Sequence, residues 1–325
     1  MKRCYAWPML ALVLLLPHDG RSQQDLSKLF ADSTTTHLPV IATFKGTTLV
    51  NLQTTKTLHA HDLLFIVSHR FGDFAGSNGG GKTFFGMDAI SDVLIGFEYG
   101  FSNRFTAGIG RDKGAPNGVS EFQTQLFYLT AKYRLLDQTS DGQMPVSLAL
   151  FARGVFSAAQ RQSIPQSNID FQQFGDRWSG VVQFLFARKF SESFSAELIP
   201  TWVARALTAP HDPHLMFALG AGFRYKINKR MGIIADFTAP FRSQASQNYY
   251  KQQFNQHFYF PIGIGWEIET GGHVFHIEFT NATSILENQF IPGTTTSWTR
   301  GQFRWGFNLT HTFTLARGAA ADWKQ

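Results

Sequence analysis

Residues 215–227 read LMFALGAGFRYKI. Phe217, Leu219, Ala221, Phe223 and Tyr225 fall on one side of an extended chain, and Gly220, Gly222, Arg224 and Lys226 on the other. Alternation at period two is the signature of a strand with two chemically different faces. Residues 258–269, FYFPIGIGWEIE, repeat it: Phe260, Ile262, Ile264, Trp266 and Ile268 oppose Gly263, Gly265, Glu267 and Glu269. One face is large and apolar, and the other mixes glycine with charge.

Working outward, the same pattern recurs along the chain. It marks residues 61–70, 91–100, 105–111, 121–135, 145–156, 179–190 and 194–205, then 231–239, 273–280 and 300–313. With the two stretches above, that makes twelve candidate strands. Most are nine to thirteen residues long, against about five to six in soluble sheets. Nine to eleven tilted residues cross a hydrocarbon core.

The connections alternate in length. SNR, SES, NKR and TGG are short, whereas 70–88, 157–178, 238–257 and 281–299 are long. Residues 111–118 and 208–214 are intermediate, and 136–144 breaks the rule. Short turns on one side and long loops on the other are the asymmetry of outer-membrane barrels. An open sheet edge in lipid would strand backbone N–H and C=O groups at several kcal/mol each, so the sheet must close. The expected fold is therefore all-β: a transmembrane antiparallel barrel of about twelve strands, with lipid as its surroundings and the bacterial outer membrane as its location. The inward glycines suit crowded or sharply curved wall.

Composition agrees. Apolar residues are 43%, aromatics 15% and charged residues only 16% of the 325 positions, against about 25% charged in ordinary soluble domains. The net charge of +6 is not gathered into runs, which argues against a nucleic-acid partner. Cys4 is the only cysteine, which leaves no disulfide framework or thiolate metal site.

The chain divides into residues 1–22 as a cleaved signal peptide, 23–56 as a lead-in, 57–315 as the barrel and 316–325 as a tail. Lys2 and Arg3 precede the apolar run Pro8–Leu16, which is too short to anchor in a bilayer. Within the lead-in, Leu26–Phe30 suggests a short helix. The following THLPVIATFKGTTLVNLQTT could line a wall, cross the base or lie outside the barrel, and this region leaves the strand count open by two.

The inward set expected from strand parity is Arg70, Glu98, Arg153, Arg188, Glu197, Arg205, Arg224, Lys226, Asp236, Glu267, Glu269, Glu278 and Arg304. Charges of both signs need water or partners inside a barrel. Arg224, Lys226, Glu267, Glu269 and Arg304 have the clearest parity. GSNGGGKT, Gly76–Thr83, satisfies the phosphate-loop pattern. A genuine phosphate loop joins a strand to a helix, yet here strand alternation resumes, so no nucleotide is expected. His59 with His61, and His211 with His214, are close pairs that read as rim and loop histidines; no metal or other cofactor is expected. Ser68 and His69 point to opposite faces and no G-x-S-x-G elbow occurs, so no enzyme activity is expected.

HRFG at residues 69–72, FFGMD, IGFEYG, SNR and GIGR through Lys113 together resemble an uncharacterised family of membrane-bound β-barrel proteins of Bacteroidetes-type bacteria. The resemblance is most specific over His69–Lys113 and extends loosely to Phe313. It implies an outer-membrane barrel and brings no assigned activity or site residues. The expected function is a narrow channel or small-solute transporter for small polar solutes. The alternative is a structural or interaction barrel that docks another envelope protein or a surface ligand through loops 157–178, 238–257 and 281–299.

Overall fold

A computed structural model describes residues 38–40, 43–115, 123–164 and 167–315. Twelve strands form one closed sheet. They are β1 (Asp62–Phe71), β2 (Ile90–Ser102), β3 (Phe105–Asp112), β4 (Leu126–Leu136), β5 (Ser147–Ser157) and β6 (Trp178–Lys189). The second half comprises β7 (Phe194–Arg205), β8 (Leu215–Lys226), β9 (Met231–Pro240), β10 (Ile262–Thr270), β11 (His273–Thr280) and β12 (Arg304–Thr314). Each strand pairs antiparallel with its sequence neighbours, and β1 closes on β12 from Asp62↔Thr314 to Arg70↔Gly306. All twelve expected strands are present, with ends displaced by a few residues. The largest displacement is at β4, which starts at Leu126 rather than at 121.

Local chemistry sets the short turns. β10 and β11 join through Gly271 and Gly272 at φ 49° and 98°, the left-handed pair that a two-residue hairpin requires. The β8–β9 turn is held by Asn228, whose Oδ1 accepts from the amides of Arg230 and Met231, both at 2.9 Å. Pro200 lies inside β7, and the β6–β7 ladder skips it between Gln183↔Thr201 and Phe186↔Leu198, because proline has no N–H to donate.

The outer surface is the apolar face of the alternation. Phe97, Ile109, Leu129, Leu198, Ile264 and Trp266 are among its exposed side chains. A water-facing surface would not carry such a continuous apolar belt, whereas a lipid-facing one must. Arg188 corrects the sequence reading: it lies on this outer face, exposed, with its guanidinium 5.3 Å from the Phe190 ring. Both faces of β6 are apolar, since Val181, Leu185 and Ala187 point inward, so polarity alone misassigns its parity.

The barrel is filled from both ends. Residues 43–58 lie inside it, in contact with inward side chains of β1, β4, β8, β9, β11 and β12. None of the three placements considered for the lead-in describes this position: residues 43–58 fill the lumen and add no strand to the wall. From the opposite end, the β11–β12 connection turns inward, and every residue of its short helix α2 (Glu287–Gly293) is buried. The expectation that residues 281–299 reach outward is thereby corrected. Helix α1 (Gln244–Phe254) lies in the β9–β10 connection, with Ser243 accepting from the Ser246 amide and Asn255 closing it at φ 50°. The signal peptide, the helix expected at Leu26–Phe30 and the tail 316–325 lie outside the described residues.

The lipid belt has a direct test. Leu129→Arg, near mid-strand on β4, is expected to destabilise the barrel by about 2–4 kcal/mol in urea unfolding from phospholipid vesicles. Leu129→Ile is expected to leave stability unchanged.

Candidate functional site

The inner segment forms a tight hairpin, hereafter the plug. The Leu49 amide donates to the Leu52 carbonyl at 2.8 Å and Thr54 to Thr47 at 2.9 Å, which presents Val50 and Asn51 at the tip. The wall provides seats for it. A Cβ at Gly222 would collide with Leu49 Cδ1, one at Gly220 would stand 2.9 Å from Leu52 Cδ1, and one at Gly263 would stand 2.5 Å from Val50 Cγ1. Those inward glycines exist because plug side chains occupy the space a side chain would take. Leu52 joins Phe151, Leu185, Ile199, Met216, Phe290 and Ile291 in one buried cluster, so plug, wall and inward loop share an apolar core.

Polar clasps surround that core. Asp236 accepts from the Asn51 amide at 2.5 Å, from Asn51 Nδ2 at 2.6 Å and from the Leu52 amide at 3.1 Å. Three donors on one carboxylate offset the cost of burying it. Lys132 donates to the Thr47 carbonyl at 3.1 Å, and Lys45 pairs with Glu269 at 2.8 Å. Arg224 Nε donates to Glu267 at 2.6 Å, and the His276 ring stands 3.5 Å from Glu267 and 3.3 Å from Glu278. Gly46 of the plug lies against that ring, because a Cβ there would be 3.2 Å from Cε1.

The ten residues singled out as lumen lining are therefore distributed as follows. Asp236 holds the plug tip, Glu269 its entry, and Arg224, Glu267 and Glu278 form the network around His276. Glu98 lines a small chamber. Glu197, opposite Gly222 on β8, is buried with neither carboxylate oxygen bonded to protein. Lys226 is half-buried at the end of β8. Arg304 is buried with Nε and Nη1 unbonded. Arg205, at the end of β7, pairs with Asp212 in the β7–β8 connection at 3.2 Å and borders a small cavity with Asn288, Gln289 and Pro292 of the inward loop. Of the others, Arg70 and Arg153 are buried hubs: Arg153 pairs with Glu287 of the inward loop and lies 5.0 Å from the Tyr128 ring.

The chamber measures about 40 Å³ and is bounded by Gln53, Ser68, Glu98, Arg153, Glu287 and Asn308, among others. That is room for about two or three water molecules. Gln53 Oε1, Glu98 Oε2, Arg153 Nε and Asn308 Oδ1 lack protein partners, so the chamber is polar enough to hydrate. It lies on the side of β1, β2, β4, β5, β11 and β12, beside a second apolar cluster in which Leu58 and Leu286 meet Leu64, Ile66, Leu94, Leu126, Tyr128 and Val155.

A second cluster ties the outer connections together. Arg242 pairs with Asp212 and donates to the Pro292 carbonyl, while its guanidinium covers Phe258 at 3.6 Å. Ser246 of α1 also donates to Asp212. Burial, reinforced by the Asp212 charge, pushes the Tyr250 hydroxyl up to about 12, which keeps it neutral at physiological pH.

Gly76–Thr83 folds as turns and a single 3₁₀ turn, Gly81–Thr83, followed by Phe84 and Phe85 at positive φ and then by β2. Among the described residues no α-helix N-terminus follows the string, so it lacks the geometry of a phosphate loop. Of the histidine pairs, His214 Nδ1 contacts the Arg205 carbonyl at 3.0 Å and His211 lies against Tyr249. Among the described residues no group of three His, Cys, Asp or Glu side chains is placed to hold a metal ion. The fold does bring His273 and His311 into a stack at 4.0 Å, through the register of β11 and β12; 38 positions apart, they carry no sequence signal.

A family model described as a membrane-bound beta-barrel domain (DUF5777) matches residues 44–313, a span that takes in most of the plug. No match is found among curated proteins. Among solved structures, an outer-membrane channel from Pseudomonas putida F1 is similar at 9% identity and a TM-score of 0.48, covering 80% of this chain and 98% of that one. The KdgM porin is similar at 7% identity and a TM-score of 0.44, covering 78% and 99%. Omp33 of Acinetobacter baumannii gives 8% and 0.38, covering 78% and 98%.

The Arg153–Glu287 pair should be costly to break on one side only. Arg153→Met is expected to lower stability by about 3–5 kcal/mol, because Glu287 is left buried without its cation. Arg153→Met with Glu287→Leu is expected to recover most of that loss in the same urea titration.

Proposed function

From the premise that the chain belongs to this family of membrane-bound β-barrel domains and stands in the bacterial outer membrane, we propose that it is a gated channel for small polar solutes, shut at rest by its own plug and inward loop. The observation that carries this reading is the polar seam that runs along one side of the filling. On the β6–β8 side, plug and loop are seated on apolar wall. On the side of β1, β2, β4, β5 and β12, an apolar cluster containing Leu58 and Leu286 is interrupted by charges, amides and a hydratable chamber. A static structural filling would gain more from apolar contact all round, since buried ion pairs often contribute no more than hydrophobic replacements of equal volume. A polar seam can exchange its internal partners for water and solute at modest cost, because hydration replaces the bonds it loses. Solute would pass along this seam, with Glu98, Arg153 and Glu278 setting charge preference.

The docking alternative would rest on the outer connections around residues 157–178 and 238–257. With 286–294 buried inside the barrel, it lacks most of one of its three contact loops.

Planar-bilayer conductance tests the proposal. The wild-type barrel is expected to open rarely. Gly222→Leu, which fills the seat of Leu49, is expected to raise open probability at least about tenfold, as removal of about 1.4 kcal/mol from the closed state would. A folded Gly222→Leu barrel that stays silent would overturn the gated-channel reading in favour of docking.

A further inference from the structure

Arg70 is 2% exposed on the inward face of β1, and among the described residues it forms no ion pair. Its guanidinium is held instead by neutral oxygens from two segments that enter from opposite ends. Nη2 donates to Asn51 Oδ1 at 2.8 Å and reaches the Val50 carbonyl at 3.5 Å, both in the plug. Nη1 donates to the Ser284 carbonyl and reaches that of Ala282 at 3.4 Å, both in the inward loop. The same two segments touch directly, with Gln53 Nε2 donating to Glu287 Oε1 at 3.0 Å. Leu52 of the plug shares its apolar cluster with Ala282, Phe290 and Ile291 of the loop.

We infer that the plug and the β11–β12 loop form a single gate coupled through Arg70, so that displacing either one from its own side of the membrane releases the other. The reason is the cost of leaving half the arrangement behind. If the plug leaves, Arg70 keeps its positive charge in the lumen with half its acceptors gone, and Glu287 loses the Gln53 amide. If the loop leaves, Arg70 loses its other acceptors and Leu52 loses the apolar lid above it. Each single departure exposes or strands groups that the joint departure would hydrate together. The two segments are thus biased toward being both seated or both released, which is a coupling free energy between the two faces of the membrane. An event at the outer loops would be transmitted to the periplasmic side without any movement of the wall.

The inference extends the gated-channel reading by naming how the gate is controlled, but thiol labelling measures the coupling without any conduction. In a Cys4→Ser background, Ser284→Cys reports on the loop and Val50→Cys on the plug; both parent side chains are buried. The rate of maleimide labelling is measured in vesicles. Gly222→Leu disturbs the Leu49 seat, and the three atoms nearest the position of its Cβ belong to the plug and to β9, not to the loop. It is expected to speed labelling of the loop thiol by about 5–150-fold, the usual range for coupled sites. Phe290→Ala, in the loop, is expected to do the same for the plug thiol. In an Arg70→Gln background the effect of Gly222→Leu on the loop thiol is expected to fall toward one.

Exposure of the plug thiol with the loop thiol still at its wild-type rate would overturn the coupling. Persistence of the full effect without Arg70 would overturn the role of Arg70. Should Gly222→Leu not give a folded, heat-modifiable band, Asp236→Ala removes the β9 clasp, leaves Asn51 Oδ1 to Arg70 and serves the same comparison. Coupled labelling in a barrel that never conducts would uphold this inference while refuting the channel. Conduction with independent labelling would do the reverse.

Discussion

The pairing of β1 with β12 is the constraint on which everything else depends. In hydrocarbon, an unpaired backbone N–H or C=O has no solvent to satisfy it, so the sheet has to close. Closure in turn fixes an inside, and with twelve strands that inside is wider than the wall side chains alone can fill. The many small residues on the inner face, Gly220, Gly222, Gly263 and Ala218 among them, make the space larger still. What fills it is the chain itself, brought in from both ends.

The filling has two chemistries. Along β6–β8 it behaves like a protein core: Leu52, Phe290 and Ile291 meet Leu185, Ile199 and Met216, and fit is set by volume. On the other side a second apolar cluster, which takes in Leu58 and Leu286, is joined by an interface-like seam in which Arg70, Glu98, Arg153 and Glu287 each face a partner from another segment or a hydratable chamber. Asp236 stands between the two regimes. Its three bonds from the plug tip position Asn51, and Asn51 positions Arg70. The order of contacts therefore runs from β9, through the plug tip, to β1 and the loop.

Individual residues explain both what is legible in the sequence and what is not. The strands of the second half are plain because their inner face carries charge or glycine where the outer carries Phe, Ile or Trp, as at Glu267 and Trp266. Arg188 is misplaced by parity because both faces of β6 are apolar: its inner face packs against plug and loop, which are absent from any local window of sequence. Residues 281–299 read as an exposed loop by length, yet Leu286, Phe290 and Ile291 are buried in the lumen. Phe44 to Leu58 carry no local signal of their placement, since a hairpin inside a barrel obeys the same local rules as one outside it.

The amino-acid sequence by itself determined the strand pattern, the lipid-facing side, the antiparallel order and the side on which the long connections lie. All of these follow from period-two chemistry and from the requirement that backbone groups be paired in lipid. Only the tertiary structure decided that the lumen is occupied, by which segments, and which charges meet. Arg70 with Asn51 and Ser284, Arg153 with Glu287, and Asp236 with the plug tip join residues far apart in the chain. Such contacts come from three-dimensional closure and volume, which alternation along a strand does not encode.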